Sequence, residues 1–187
     1  MAIEKLRLVV LSSLMAGLMA VGAYLHVPIG PVPIVLTNLF VLLSGLLLGS
    51  RWGATSVGAY LLCGAVGLPV FAGGKGGLAH LFGPTGGYLF GFVLSAYVAG
   101  WISERFVRRL LGDILAVLIG SLLIYAFGLP WLKMVTGMTW EKALIAGMIP
   151  FLFGDGLKAS AAIVLAKAVR PILNLRAMQV GVGDRKS

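Results

Sequence analysis

Residues Ile149-Pro-Phe-Leu-Phe-Gly-Asp-Gly-Leu-Lys-Ala-Ser-Ala-Ala-Ile-Val-Leu165 form an apolar run interrupted by two charges, Asp155 and Lys158. A helix over this stretch brings the two onto one face, because positions i and i+3 are neighbours on a helical surface. In a bilayer each charge costs about 2.5–3.5 kcal/mol near a helix centre on insertion scales, so a pair at that depth marks a functional site by default. The fold therefore turns on whether the surrounding solvent is lipid.

Composition answers that it is. The chain has 187 residues, 59% hydrophobic and only 11% charged, with a mean hydropathy of +1.02. Soluble domains carry about 25% charged residues, and so few charges here cannot cover a water-facing surface. The 27 glycines suit close helix packing and irregular backbone around a cavity. A net charge of +9 would suit nucleic acid, but the basic residues are scattered between apolar segments with no basic stripe or aromatic platform, which argues against it. Cys63 is the single cysteine, so no disulfide forms within the chain, and its apolar setting reads as a small buried hydrophobe.

A spanning helix needs about 20 mostly apolar residues, and roughly 17 suffice. Six candidates are visible, at about 8–25, 34–48, 52–68, 86–102, 114–132 and 144–169, the second of them short. They consume most of the chain, which reads as one membrane domain over 1–187, all-α, with a basic tail at 170–187. The region from Leu68-Pro69 through Gly77 should be non-helical, since Pro and clustered Gly break helices. The first segment follows Lys5 and Arg7 and superficially resembles a secretory signal; its apolar run of 18 residues exceeds the usual h-region of about 7–15, so a retained helix is expected.

Loop charges give an orientation. Lys5, Arg7, Arg51, Arg105, Arg108, Arg109, Lys167, Arg170, Arg176, Arg185 and Lys186 fall on one side of the six spans, and Lys75, Lys133 and Lys142 on the other, 11 against 3. The positive-inside rule then places both termini in the cytoplasm and the Gly- and Pro-rich loops at 26–33, 69–85 and 133–143 outside. The sixth helix runs inward, with Asp155 roughly 16 Å along it at 1.5 Å per residue. A cavity reaching the pair would open outward.

Other segments point to the same region. Pro28-Ile-Gly-Pro-Val-Pro33 is a rigid, extended entry to the second helix, and Thr37 and Asn38 just beyond it are polar in an apolar context. Gly73-Gly-Lys-Gly-Gly77 is not a phosphate-binding loop, because Pro69 and Gly76 stand where the motif needs Gly and Ser or Thr; Gly74 and Lys75 instead fit an outward lid that approaches a ligand closely. Gly83-Pro-Thr-Gly-Gly-Tyr88 opens the fourth helix with Thr85 and Tyr88, readable as contacts or as helix packing with an interfacial Tyr. His80 lies just before it, and with His26 the only other histidine there is no metal-ligand spacing. Ser12, Ala16 and Ala20 recur every four residues, widened by Ser13 and Gly17, a groove for another helix of this chain or of a separate membrane subunit. Catalysis finds no support: no second carboxylate joins Asp155 within a span, no His lies in one, and there is no Gly-x-Ser-x-Gly elbow. The Asp155–Lys158 pair itself reads either as a helix tie or as a ligand contact, Asp accepting from N–H groups and Lys donating to a carbonyl or carboxylate.

Pro31-Val-Pro-Ile34, Leu42-Leu-Ser-Gly-Leu-Leu-Leu-Gly49, Gly67-Leu-Pro-Val-Phe-Ala-Gly-Gly74, Gly83-Pro-Thr-Gly-Gly-Tyr88 and Gly154-Asp-Gly-Leu-Lys158, in that order, resemble the BioY family of biotin-capturing S components of energy-coupling factor (ECF) transporters. The likeness covers about residues 10–170. It implies a six-helix subunit of a bacterial or archaeal plasma membrane that takes biotin from outside, needs no cofactor, and is driven by a transmembrane coupling protein and two ABC-type ATPases. It further implies that Ala16 and Ala20 meet the coupling protein, and that Asp155 and Lys158 help hold the ligand. Biotin's ureido ring has two N–H groups and a carbonyl, so Asp155 is expected to accept a ureido N–H and Lys158 to donate to the ureido oxygen, with Lys75 meeting the carboxylate near the mouth. The second helix departs from the family pattern Pro-Ile-Thr-x-Gln-Thr: Val35, Thr37 and Asn38 stand where it has Thr, Gln and Thr. The competing reading is a small transporter or channel for another organic solute with Asp155 as a proton or cation site.

Overall fold

A computed structural model describes residues 2–28, 31–106 and 109–173. Ile29 and Gly30 of the proline-rich entry, Arg108, and Arg176, Arg185 and Lys186 of the tail lie outside the described residues. The chain folds as α1 (Ala2–Tyr24), a ribbon of β1 (His26–Val27) and β2 (Ile34–Val35), α2 (Thr37–Ala65), α3 (Leu78–Leu81), α4 (Gly86–Arg105), α5 (Leu110–Thr136), α6 (Trp140–Gly147), a 3₁₀ turn (Ile149–Phe151) and α7 (Leu152–Leu173). Among the described residues, five stretches are long and apolar enough to cross a membrane: Ile3–Tyr24, Thr37–Ala65, Gly86–Arg105, Leu110–Thr136 and Trp140–Leu173.

The expected second and third spans, 34–48 and 52–68, belong to one helical element, α2, broken at Gly49. Gly49 adopts φ 84°, ψ −177°, a backbone region that is essentially closed to any residue with a Cβ. The chain reverses there. Eight residues of straight helix would separate Gly45 from Gly53 by about 12 Å, yet a methyl group added at Gly53 would lie 2.8 Å from Gly45 Cα. The two arms touch because neither glycine carries a side chain, and Gly100 of α4 sits so close to the turn that a Cβ there would meet Ser50 N at 2.4 Å. Glu104 closes the turn by accepting from the Ser50 amide at 3.2 Å and the Ser50 hydroxyl at 3.0 Å.

The first arm of α2 forms the centre of the bundle: Val41, Leu42, Leu46, Leu47 and Leu48 are all buried. It is buried all round because α1, α4, α5 and α7 each pack on the α2 element, whereas α5 and α7 keep broad exposed apolar faces, as lipid-facing helices do. At α1, Thr37 hydroxyl donates to Met19 O at 3.2 Å and Ser12 hydroxyl reaches Trp52 O at 3.5 Å. Thus the start of α2 and the turn after Gly49 lie at different heights along α1.

The expected sixth span, 144–169, is also interrupted. Pro150 has no amide hydrogen to continue the helical ladder, and α6 ends at Gly147 before the 3₁₀ turn starts α7. Asp155 is therefore a first-turn residue of α7, not one eleven residues into a continuous helix. At the opposite end α7 continues to Leu173, so Arg170 is not part of a free tail. Its guanidinium grips the fully buried Asp113 of α5 with Nη1–Oδ2 at 2.6 Å and Nη2–Oδ1 at 2.8 Å. Nη2 also donates to Leu46 O and Ser103 Oγ, both at 3.0 Å, while Ser103 donates to Asp113 Oδ1 at 2.7 Å. One side chain thereby ties α7 to α2, α4 and α5.

Candidate functional site

At the Asp155 end of the bundle lies a cavity of about 600 Å³, including space open to solvent. Its floor and polar corner come from helices. Thr37 and Asn38 begin α2, Tyr88 lies in the first turn of α4, Tyr125 is on α5, and Asp155 and Lys158 are on the first turns of α7. Its cover comes from the irregular segments, with Val32, Pro33 and Val35 from the ribbon and Phe71, Ala72, His80 and Thr85 from the 66–85 region.

The polar corner centres on Asp155. Lys158 Nζ donates to Oδ1 at 2.9 Å, with both side chains only about a tenth exposed, 10% for Lys158 and 11% for Asp155. Asn38 Nδ2 lies 3.4 Å from each carboxylate oxygen, and the Tyr125 hydroxyl donates to Oδ2. The Asp155 carboxylate is thus held by three side chains, and the positive end of α7 adds favourable field at this first-turn position. Three helices distant in sequence converge on one carboxylate.

Aromatic side chains make the rest of the wall. Phe71 is buried in a seat made by Gly64, where any Cβ would lie 2.0 Å from its ring. It contacts Tyr60 edge-on at 5.5 Å between ring centroids and stacks on His80 at 5.1 Å. A backbone bridge between Phe71 and Lys75 closes the tight loop carrying it, with Gly73 and Gly74 at φ 74° and 68°, where L side chains are strained. The loop rests on the end of α1, the Tyr24 hydroxyl donating to Pro69 O at 2.5 Å. Tyr88 donates to Gly147 O at 2.9 Å and meets Tyr125 edge-on, so α4, α5 and α6 are locked together at the cavity. His80 Nε2 lies 3.3 Å from the Thr85 hydroxyl. Burial first, and then the charge of Lys75, hold the His80 imidazole below its ordinary pKa.

Of the residues singled out in the sequence, Thr37, Asn38, Thr85, Tyr88, Asp155 and Lys158 line one cavity. Gly74 and Lys75 stand outside the lining: Gly74 packs near the Tyr24 ring and Lys75 is exposed. Ala16 and Ala20 are partly buried against the core at the margin of α1, while Ser13 and Gly17 face outward, Gly17 with open space beyond it. Sequence reasoning did not pick out Tyr60, Phe71, Phe92, Tyr125 or Phe151. Tyr125 carried a usable signal, a hydroxyl inside an apolar span that must find a partner when buried; the others are indistinguishable from core aromatics without the fold.

A model of the BioY family matches residues 1–175. The chain belongs to the BioY family. It is 42% identical over 166 residues to the probable biotin transporter BioY of Pyrococcus horikoshii, a match covering 89% of this chain and 98% of the relative. It is 39% identical over 168 residues to the biotin transporter BioY of Thermotoga maritima, with 89% and 98% covered. The structure superposes on a crystal structure of the S-component for biotin from an ECF-type ABC transporter with a TM-score of 0.85 at 30% identity, covering 91% of this chain and 94% of the other. Membership in BioY agrees with the expectation drawn from the ordered motifs.

Proposed function

We propose that this chain is the membrane subunit that captures biotin for an ECF-type uptake system, a transport component and not an enzyme. The observation that carries the reading is the division of the cavity, in which Asp155, Lys158, Asn38 and Tyr125 cluster in one corner and Phe71, Phe92, Ile124 and Phe151 supply apolar wall. A cyclic urea fused to an apolar thioether ring, with a flexible acid tail, matches that division. The polar corner reads the ureido group, and Thr37, Thr85 and Tyr88 complete the wall around the bicycle. Gly74 and Lys75 act from the rim, where the Lys75 ammonium is close enough to His80 to bear on its titration and meets the ligand carboxylate.

Six spans with both termini in the cytoplasm remain the topology we favour. The reversal at Gly49 supports it, because the two arms of α2 run against each other and each counts as a short span. The excess of Lys and Arg on one set of loops supplies the orientation. The cavity then opens outward in a plasma membrane, and the Asp113–Arg170 network closes the cytoplasmic end. Accumulation requires the coupling protein and two ATPases; Ala16 and Ala20, with Ser13 and Gly17 beside them, offer a small-residue surface for close helix approach to that coupling protein.

Titrating the purified protein with biotin tests the assignment. Saturable binding with one site per chain is expected, and a folded protein that does not bind overturns it. Reconstituted alone, the chain should not accumulate biotin against a gradient; uptake that follows a pH gradient would instead support a proton-coupled carrier.

A further inference from the structure

Asp155 has little capacity left for a ligand. A carboxylate offers about four lone-pair positions; Oδ1 faces Lys158 Nζ and Asn38 Nδ2, and Oδ2 faces the Tyr125 hydroxyl and the same amide nitrogen. Other polar groups of the wall are also engaged, the Thr37 hydroxyl with Met19 O and the Tyr88 hydroxyl with Gly147 O. Asn38 differs. Its amide must turn the NH₂ toward Asp155, since an ionised carboxylate can only accept, and this directs Oδ1 away from that carboxylate. Oδ1 is buried and has no hydrogen-bond partner among the described residues, although Asn38 lines the cavity. A buried amide oxygen left unpaired is a cost that a donor on the ligand removes.

We infer that Asn38 Oδ1 is the acceptor for one ureido N–H of the ligand, and that Asp155 is the positioning residue that sets the Asn38 amide and the Lys158 ammonium. This rests on the reading that the cavity takes biotin, and it moves the N–H contact from Asp155 to Asn38. Donor and acceptor then lie side by side in the corner. Lys158 uses one N–H on Asp155 and keeps the others for the ureido oxygen, while Asn38 takes the adjacent N–H. A ligand lacking that N–H leaves the oxygen unpaired, so Asn38 determines specificity.

The experiment compares biotin with its two lactam analogues, each having one ureido N–H replaced by CH₂, on the full chain and on Asn38→Leu. Wild type should bind one lactam about ten- to hundredfold more weakly than biotin, the range expected for an unsatisfied buried acceptor. In Asn38→Leu that ratio should collapse to within about threefold, because mutation and analogue remove the same interaction. Wild type that does not discriminate against either lactam overturns the inference, as does an Asn38→Leu protein that keeps the wild-type ratio. Should Asn38→Leu fail to fold or to bind, Asn38→Ala is read in the same way. Absence of biotin binding by folded wild type is a different outcome and overturns the parent reading instead.

Discussion

Replacing Lys158 by Met separates a structural tie from a ligand contact. The Lys158 and Asp155 side chains are nearly closed to solvent and 2.9 Å apart, and removing one partner of a buried pair typically costs about 3–5 kcal/mol because the other charge is stranded. Tyr125 and Asn38 still donate to Asp155, so the lower end, about 3 kcal/mol, is expected for Lys158→Met; for a chain of this size that is roughly 6–12 °C in the unfolding midpoint. Combining it with Asp155→Asn removes the stranded charge and should recover most of that loss. Affinity should behave otherwise. The ligand carbonyl loses its charged donor in both proteins, and a hydrogen bond to a charged group is worth about 1.5–3 kcal/mol, or roughly 10- to 150-fold in Kd. Thermal unfolding in detergent and equilibrium biotin binding, run on wild type, both single variants and the double variant, give the two readouts. A double variant that regains both stability and an affinity within about threefold of wild type would refute the reasoning, since the pair would then serve packing alone.

Three further outcomes follow from the geometry. Tyr125→Phe keeps the ring but removes the O–H that holds Asp155, so biotin binding should weaken by about ten- to hundredfold while the lipid-facing surface is unchanged; unaltered affinity would remove Tyr125 from the site. Arg170→Met strands the fully buried Asp113 and should lower stability by about 3–5 kcal/mol. Arg170 is roughly 22 Å along α7 from Asp155 at 1.5 Å per residue, so the affinity of the folded fraction should hold, as a titration at a temperature well below the midpoint would show. His80 has a folded pKa below its unfolded value of about 6.5. The unfolded chain therefore binds more protons between those two values, and stability falls as pH drops from about 6.5 toward the folded pKa. His80→Gln should flatten that part of the midpoint-against-pH curve, and an unchanged slope would exclude His80 as its source.

The departures from the expected helices fall at two breaks, Gly49 and Pro150. Apolar periodicity places helices over 34–48 and 52–68, but the reversal between them depends on Gly49 taking a conformation that periodicity does not report. Likewise 144–169 reads as one apolar run, although Pro150 ends it as a single helix and moves Asp155 into a first turn. Arg170 looked like the start of a basic tail because its partner, Asp113, lies 57 residues away. The candidate site was legible where a polar residue stood in apolar sequence, as at Thr37, Asn38, Asp155 and Lys158. It was illegible where the wall is made of Phe and Tyr, which occur just as readily in a core.

Composition and loop charge by themselves determined that the chain is an apolar, helical membrane protein with a costly Asp–Lys pair, because the energy of each residue in lipid depends on its own chemistry. Only the tertiary structure decided what surrounds the pair. Helices α2 and α5 bring Asn38 and Tyr125 to Asp155 of α7, and hydrogen bonds reach only about 3 Å. These two partners of Asp155, unlike Lys158, and the acceptor left vacant on Asn38 are properties of how distant segments pack and not of any local run of residues.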